Sequence, residues 1–282
     1  MADEAALDEL TARPVVSGVA RAALLIAIVT VLARAAGFVR VIVFARTVGP
    51  SCLGDTYYTA NTVPNIVFDI VAGGVLSSLV VPVSAGPAAA GDRDTVGRTT
   101  SALLTWATTL LVPVMLLGLF LTHPLMRLLV GAGHPGCSSA REVAVGARML
   151  AVFLPQIVLY AVAVVMIGVL QGHRRFLGPA LGPLVSSLVL ITAYGTFAAV
   201  AGHDETGLVS LTRSHELVLS IGTTLGVAAL LLPMLLPAAR IRLRLRPTDR
   251  CPPGVGERIR QMTISGALVL GSQDLATAVA LR

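Results

Sequence analysis

The chain has 282 residues, of which 55% are hydrophobic and 13% are charged, and its net charge is +6. Soluble domains carry roughly 25% charged residues, so this composition excludes an ordinary soluble enzyme and indicates a membrane protein. Aromatic residues make up only 4% of the chain, which leaves too few rings for a base-stacking surface. We therefore expect no nucleic-acid partner despite the positive charge.

The first 20 residues are polar and acidic and lack the basic start of a signal peptide, so we predict a disordered cytoplasmic tail over 1–20. A spanning helix needs about 20 mostly apolar residues. Such windows predict an all-α polytopic transmembrane helix bundle with six full spans and an incomplete seventh. The windows are 22–46, 56–84, 99–122, 143–170, 177–201, 216–238 and 261–281.

The arginines are distributed unequally between the loops on the two sides of the predicted bundle. Most of them share the side of the N-terminus, where cytoplasmic loops carry an excess of positive charge. We therefore predict a multi-pass protein of the cell inner (plasma) membrane with a cytoplasmic N-terminus. Residues 21–239 form a six-helix lobe in this prediction, 240–260 a basic cytoplasmic loop and 261–282 the start of a second lobe. The basic loop is dense in arginine at positions Arg240, Arg242, Arg244, Arg246, Arg250, Arg258 and Arg260.

Charges inside the spans are the strongest functional signal, because an intramembrane charge usually faces a partner or a polar cavity. Arg34 and Arg40 lie in the first span, and Asp69 lies in the second. Arg34 is about 18 Å from the inner end of its span, and Asp69 is about 20 Å from the outer end of its own. We expect Arg34 and Asp69 to pair or to line one cavity, with a pure packing role as the alternative. Arg34 and Arg40 point about 120° apart on a straight helix, so sharing a face needs a bend at Gly37.

Other polar residues have simpler interpretations. Arg148, near the outer start of the fourth span, is expected to be an interfacial anchor. Cys52 and Cys137 fall in predicted outer loops, where a disulfide can form if the loops meet. The histidines show no metal-ligand spacing and no phosphate-binding loop occurs, so we expect no enzyme activity, no cofactor and no metal.

Three groups of motifs resemble the MurJ (MviN) family of lipid II flippases in the MOP exporter superfamily. The first group is specific and comprises residues 33–40, Val48-Gly49, Asp55, Pro64-Asn65, and 73–78 leading to 81–83. The second comprises Leu154-Pro155, 168–173, Arg175-Phe176, Pro179-Ala180 and Pro183, and the third is Ser272-Gln273. The resemblance covers nearly the whole chain from about residue 20.

The resemblance implies a MOP/MATE-like N-terminal lobe with a cationic central cavity and alternating access. Its substrate would be lipid II, the undecaprenyl-pyrophosphate-linked peptidoglycan precursor, moved across the membrane for cell-wall biogenesis. An ion gradient or the membrane potential would drive it. Membrane lipids and cell-wall synthesis proteins would be its partners. The family's first-helix arginines correspond to Arg34 and Arg40, and the site prediction adds Asp69, with Gly37, Asp55, Pro64 and Asn65 in support.

The sequence departs from the family pattern in two ways. Many members carry a basic pair after Pro-Asn in the second span, where this chain has Phe68 and Asp69. Members have about fourteen spans, so the resemblance predicts a truncated form here. Two alternatives stay open: a related polysaccharide-lipid or multidrug exporter, and a non-transporting membrane scaffold of the cell-wall machinery.

Overall fold

The computed structural model describes residues 2–70, 93–131, 133, 136–201, 208 and 211–241, and every regular element in these ranges is an α-helix. The prediction of an all-α bundle is therefore confirmed. The helices, in chain order, are α1 (Ala2–Thr47), α2 (Cys52–Ile70), α3 (Arg93–Phe120), α4 (Thr122–Val130), α5 (Ser139–Phe153), α6 (Gln156–Gly172), α7 (Leu177–Ala201), α8 (Arg213–Ala229) and α9 (Leu232–Ile241).

Five helical stretches of the described chain are long and apolar enough to cross a membrane. They correspond to the predicted first, third, fourth, fifth and sixth spans, and they are Ala20–Thr47, Val96–Phe120, Ser139–Gly172, Leu177–Ala201 and Arg213–Arg240. The second predicted span is described only as far as Ile70, and the seventh lies outside the described residues. The chain is a multi-pass membrane protein.

The beginning of α1 differs from the sequence prediction. The helix starts at Ala2, within the segment predicted to be a disordered tail. Alanine, leucine and glutamate are frequent there and favour helix, which accounts for the backbone conformation. The basic loop predicted over 240–260 is described only at its first two residues, so its conformation stays a prediction.

A tight turn joins α1 to α2. Gly49 has a φ of +67°, a left-handed conformation that favours glycine, and Pro50 follows it. The hydroxyl oxygen of Ser51 then accepts a hydrogen bond from the Gly54 N–H at 3.1 Å, which caps the start of α2. The turn therefore brings the end of α1 and the start of α2 together at the end of the bundle predicted to be external, where the Phe44 ring contacts the Tyr57 and Tyr58 rings.

The fourth span is two helices in one continuous stretch. Helix α5 ends at Phe153 and α6 begins at Gln156, because Pro155 has no N–H to continue the helical ladder. A similar break at Leu230 and Leu231 separates α8 from α9. Proline breaks of this kind are tolerated in membrane bundles when neighbouring groups satisfy the backbone.

Helix packing follows a chain of neighbours. Helix α1 contacts α7, α7 contacts α8 and α9, α8 contacts α5, and α2 contacts both α5 and α6. Gly178 and Gly182 allow α7 to approach α9 closely because they have no side chain. A Cβ added at Gly178 would lie 3.0 Å from the Pro233 carbonyl oxygen, and one at Gly182 would lie 3.0 Å from that of Leu230.

The largest core cluster joins α1, α2, α4, α5, α7 and α8 near the α1–α2 turn. Its fully buried members include Leu53, Tyr57, Met149, Phe153 and Leu219. Apolar side chains of α1, by contrast, are exposed along most of the span, among them Leu24, Ile28, Leu32 and Phe38. Exposed apolar surface of this length is suited to contact with lipid or with further helices.

Candidate functional site

A cavity of about 860 Å³ lies between α1, α2, α6, α7 and α8. All four tyrosines of the chain line it, together with amide and hydroxyl side chains. Among the described residues, its charged lining consists of Arg34 and Arg40, and no carboxylate lines it. The described cavity wall is therefore polar and positively charged within an otherwise apolar bundle.

Both predicted arginines line this one cavity, although a straight helix separates them by about 120°. The cavity lies against a wide face of α1 from Thr30 to Phe44, which covers roughly 160° of the helix circumference by residue spacing. Arg40 lies at one edge of that face, and Arg34 lies about 120° away, towards the opposite edge. Gly37 lines the cavity between them, and a Cβ there would meet no heavy atom within 4 Å.

Neither arginine forms an ion pair with another described residue, in contrast to Arg148, which pairs with Glu216. Arg40 is half-buried and interacts electrostatically with the side chains of Tyr57, Tyr160 and Tyr194. Phenol hydroxyls can accept hydrogen bonds but carry no charge at neutral pH. Among the described residues, no carboxylate lining the cavity compensates the charge of Arg40.

The residues of α2 that belong to the predicted site do not all line the cavity. Asn65 lines the cavity, whereas Asp69 is exposed and does not. Asp69 and Arg40 both act electrostatically on Tyr160. Pro64 is buried inside α2, and Asp55 lies in its first turn, half-buried and away from the cavity. No ion pair between Arg34 and Asp69 occurs in the described part, so direct pairing is not what positions Arg34.

One end of the cavity is closed by a cluster of rings and hydroxyls that sequence reasoning missed. The Tyr57 hydroxyl lies 2.9 Å from the Tyr194 hydroxyl and 2.9 Å from Thr223 Oγ1. The Phe44 ring packs against Tyr57 and Tyr194 with centroids 5.0 and 5.1 Å apart. These residues come from α1, α2, α7 and α8, so they join four helices at the same level.

Two amide side chains line the cavity with an unsatisfied oxygen. Asn61 Oδ1 and Gln156 Oε1 are both buried, and neither has a hydrogen-bond partner among the described residues. An unpaired buried acceptor costs about 1–3 kcal/mol. Nothing in the hydropathy pattern identifies these two residues, because an isolated amide in a span is usually satisfied by a neighbouring helix.

Arg148 forms an ion pair across the bundle, and its predicted position at the membrane interface stays a prediction. Its guanidinium donates to both carboxylate oxygens of Glu216, with Nη2 to Oε2 at 2.6 Å and Nε to Oε1 at 3.1 Å. Glu216 is 3% exposed, while the Arg148 side chain is 37% exposed. The pair joins α5 to α8. The sequence did not predict this pair, because Glu216 lies 68 residues from Arg148 along the chain.

Cys52 and Cys137 form a disulfide with a Cα–Cα distance of 5.8 Å, which is ordinary for such a bond. The bond connects the start of α2 to the loop before α5. The loops predicted to lie on the same side therefore meet. Among the described residues, no group of three or more His, Cys, Asp or Glu side chains could hold a metal ion.

Comparison with known proteins places this chain in a family. Residues 44–282 match the model of the family described as lipid II flippase MurJ. The chain belongs to the MurJ family. This membership confirms the resemblance found in the sequence motifs.

Individual relatives agree with the MurJ family match. The chain is 28% identical over 176 residues to the lipid II flippase MurJ of Burkholderia cenocepacia, covering 61% of this chain and 33% of that protein. It is 28% identical over 250 residues to the probable lipid II flippase MurJ of Synechocystis sp., covering 84% and 44%. A solved lipid II flippase MurJ in an inward closed conformation shares the fold, with a TM-score of 0.65, 18% identity, and coverage of 86% and 47%. The chain thus spans less than half the length of these MurJ relatives.

Proposed function

We propose that this chain forms the arginine-lined half of a cavity that binds the headgroup of lipid II and takes part in its transport across the membrane. The observation that carries the proposal is the charge of the cavity, where Arg34 and Arg40 stand without a carboxylate in the described lining. A charge at the centre of a bilayer costs about 2.5–3.5 kcal/mol on insertion scales, so such residues are usually functional. The names of the MurJ relatives supply the substrate.

The chemistry of the two arginines suits a lipid-linked pyrophosphate. A guanidinium stays charged in a low dielectric and presents a planar fork of donors, which matches phosphate oxygens with paired hydrogen bonds. The cavity volume of about 860 Å³ lies within the range of ordinary ligand sites, so it accommodates a headgroup in part. Transport requires binding and release, with no covalent step, so the proposal needs no catalytic residue.

A binding measurement tests the arginines directly. We expect purified protein in lipid nanodiscs to bind lipid II. The double variant Arg34→Ala, Arg40→Ala should bind it at least about a hundredfold more weakly, since a hydrogen bond to a charged group contributes about 1.5–3 kcal/mol. Arg46→Ala is the matched control, because Arg46 is an exposed arginine of the same helix that does not line the cavity.

Equal binding of lipid II by the double variant and by the Arg46→Ala control would overturn the proposal. Preference for a cationic drug over lipid II would instead favour a multidrug exporter. A cellular assay extends the test: the chain is expressed while the host flippase is depleted, and lipid II is measured on the outer leaflet. Restored export that disappears in the double variant would support transport, and contacts with cell-wall synthesis proteins stay a prediction.

The same proposal places the protein in the inner membrane with its N-terminus in the cytoplasm. The disulfide supports this orientation, because disulfides persist in oxidising compartments and the cytoplasm is reducing. The bond lies at the α1–α2 turn, which the arginine distribution puts outside. Both observations favour an external position for the closed end of the cavity.

Thiol labelling in intact cells checks the orientation. After reduction with a membrane-impermeant phosphine, we expect Cys52 and Cys137 to react with a membrane-impermeant maleimide, because both lie on the external side. Cys251 follows the predicted cytoplasmic arginine run and serves as the internal control, so it should react only after permeabilisation. Labelling of Cys251 in sealed cells, with none at Cys52 and Cys137, would reverse the proposed topology.

A further inference from the structure

The cavity contains a second polar surface that the arginines do not explain. Asn61 projects from α2 and Gln156 from the first turn of α6, and both line the cavity. Asn61 Oδ1 and Gln156 Oε1 are buried without a partner among the described residues, and Gln156 as a whole is 0% exposed. Both unpaired acceptors therefore belong to residues of one cavity wall.

The hydrogen bonds around Gln156 determine which atom of its side-chain amide is unpaired. The Thr224 hydroxyl donates its only proton to the Val152 carbonyl oxygen at 2.9 Å. Thr224 can then only accept from Gln156, and Nε2 donates to it at 3.0 Å. A flipped amide would leave two acceptor oxygens facing each other, so the unpaired atom of Gln156 is the oxygen.

Asn61 and Gln156 lie at the same level of the bundle. On one side of them the Tyr57 and Phe153 rings pack with centroids 5.5 Å apart, and on the other the Tyr160 hydroxyl donates to Asn65 Oδ1 at 3.4 Å. From the first contact to the second, the residue numbers increase on both segments, so α2 runs parallel to the α5–α6 stretch. Asn61 is one turn from both Tyr57 and Asn65, and Gln156 is one turn from Tyr160, so the two amides stand opposite each other.

The unpaired oxygens cannot serve the anionic part of a ligand. A pyrophosphate presents acceptors at neutral pH, and acceptor oxygens facing phosphate oxygens repel each other. Hydroxyl and amide N–H groups are the neutral donors that would satisfy them. The cavity therefore has two chemically distinct walls: the arginines of α1 for negative charge, and the paired amides of α2 and α6 for neutral donors.

We propose that Asn61 and Gln156 form a neutral subsite that binds hydroxyl or amide N–H groups in the sugar–peptide portion of the lipid-linked headgroup. This assignment rests on the proposed function. It makes the amide pair a determinant of specificity, because a lipid pyrophosphate without sugar and peptide would leave both oxygens unpaired. Discrimination by a buried polar group that only the complete ligand can satisfy is a general device of selective sites.

A comparison of two ligands tests the subsite. Affinities for lipid II and for undecaprenyl pyrophosphate, which lacks sugar and peptide, are measured in nanodiscs. We expect Gln156→Met and Asn61→Leu each to weaken lipid II binding roughly fivefold, the effect of one lost hydrogen bond, and to leave undecaprenyl pyrophosphate binding unchanged. Gln171→Met is the matched control, since Gln171 lies on α6 outside the cavity. The thermal midpoint without ligand should not fall in Asn61→Leu, which removes an unpaired acceptor. Gln156→Met also loses the hydrogen bond from Nε2 to Thr224, so its midpoint should fall slightly.

Each other outcome overturns the assignment. Unchanged lipid II affinity would mean that the oxygens bind only a structural water, and equal weakening for both ligands would indicate a packing effect. If wild-type protein binds both ligands equally well, the subsite is wrong while the anion-binding function stands. If it binds neither, the proposed function fails and the subsite falls with it. Asn61→Leu tests the subsite from the second helix should Gln156→Met fail to accumulate.

Discussion

Replacement of Arg148 by methionine is expected to lower the free energy of unfolding by about 3 kcal/mol. The substitution leaves the Glu216 carboxylate buried at 3% exposure without its guanidinium partner. Removing one member of a buried pair typically costs 3–5 kcal/mol, and we take the lower end because Arg148 itself is 37% exposed. Unfolding of the purified protein in mixed detergent micelles, titrated with a denaturing detergent, measures the loss.

Two further variants separate the ion pair from a general effect of mutating α5. Arg141→Met should change stability by less than about 0.5 kcal/mol, because Arg141 is exposed at the start of the same helix. The double variant Arg148→Met, Glu216→Leu should recover most of the loss, since an apolar pair can replace a buried ion pair. A double variant as unstable as Arg148→Met alone would show that packing, and not the unpaired charge, causes the loss.

Truncation of Tyr57 to alanine is the second large effect, with an expected loss of about 3–5 kcal/mol in stability. Tyr57 is 2% exposed and contacts the rings of Phe44, Phe153 and Tyr194, so its removal leaves a cavity where four helices meet. Tyr57→Phe keeps the ring and removes only the hydrogen bonds to Tyr194 and Thr223, which should cost about 1–2 kcal/mol. The same detergent titration measures both.

Tyr58 provides the matched control for Tyr57. The two are consecutive tyrosines of α2, and both rings contact Phe44, but Tyr58 is 53% exposed. Tyr58→Ala should therefore cost less than half as much as Tyr57→Ala, because it leaves no enclosed cavity. Equal losses at the two positions would mean that the ring cluster does not hold the helices together at this end of the bundle.

The sequence predicted that the chain is a membrane protein and where the described spans lie. It also identified the two arginines of the first span as candidate site residues. Hydropathy made this possible, because the free energy of moving a segment into lipid depends on the residues of that segment alone. The MurJ motifs were likewise local runs, such as the one around Arg34 and Arg40, and the family match confirmed the membership they indicated. That both arginines line one cavity was not predictable from their 120° separation.

Tertiary structure alone decided which residues of distant helices meet. Arg148 pairs with Glu216, Cys52 bonds to Cys137, and Tyr57 reaches Tyr194 and Thr223, at sequence separations from 68 to 166 residues. A helical period tells which side chains share a face of one helix, but it carries no information about which helix lies against that face. Asn61 and Gln156 show the consequence, because each is an ordinary amide in its own helix. Only the parallel packing of α2 and α6 makes them a pair facing one cavity.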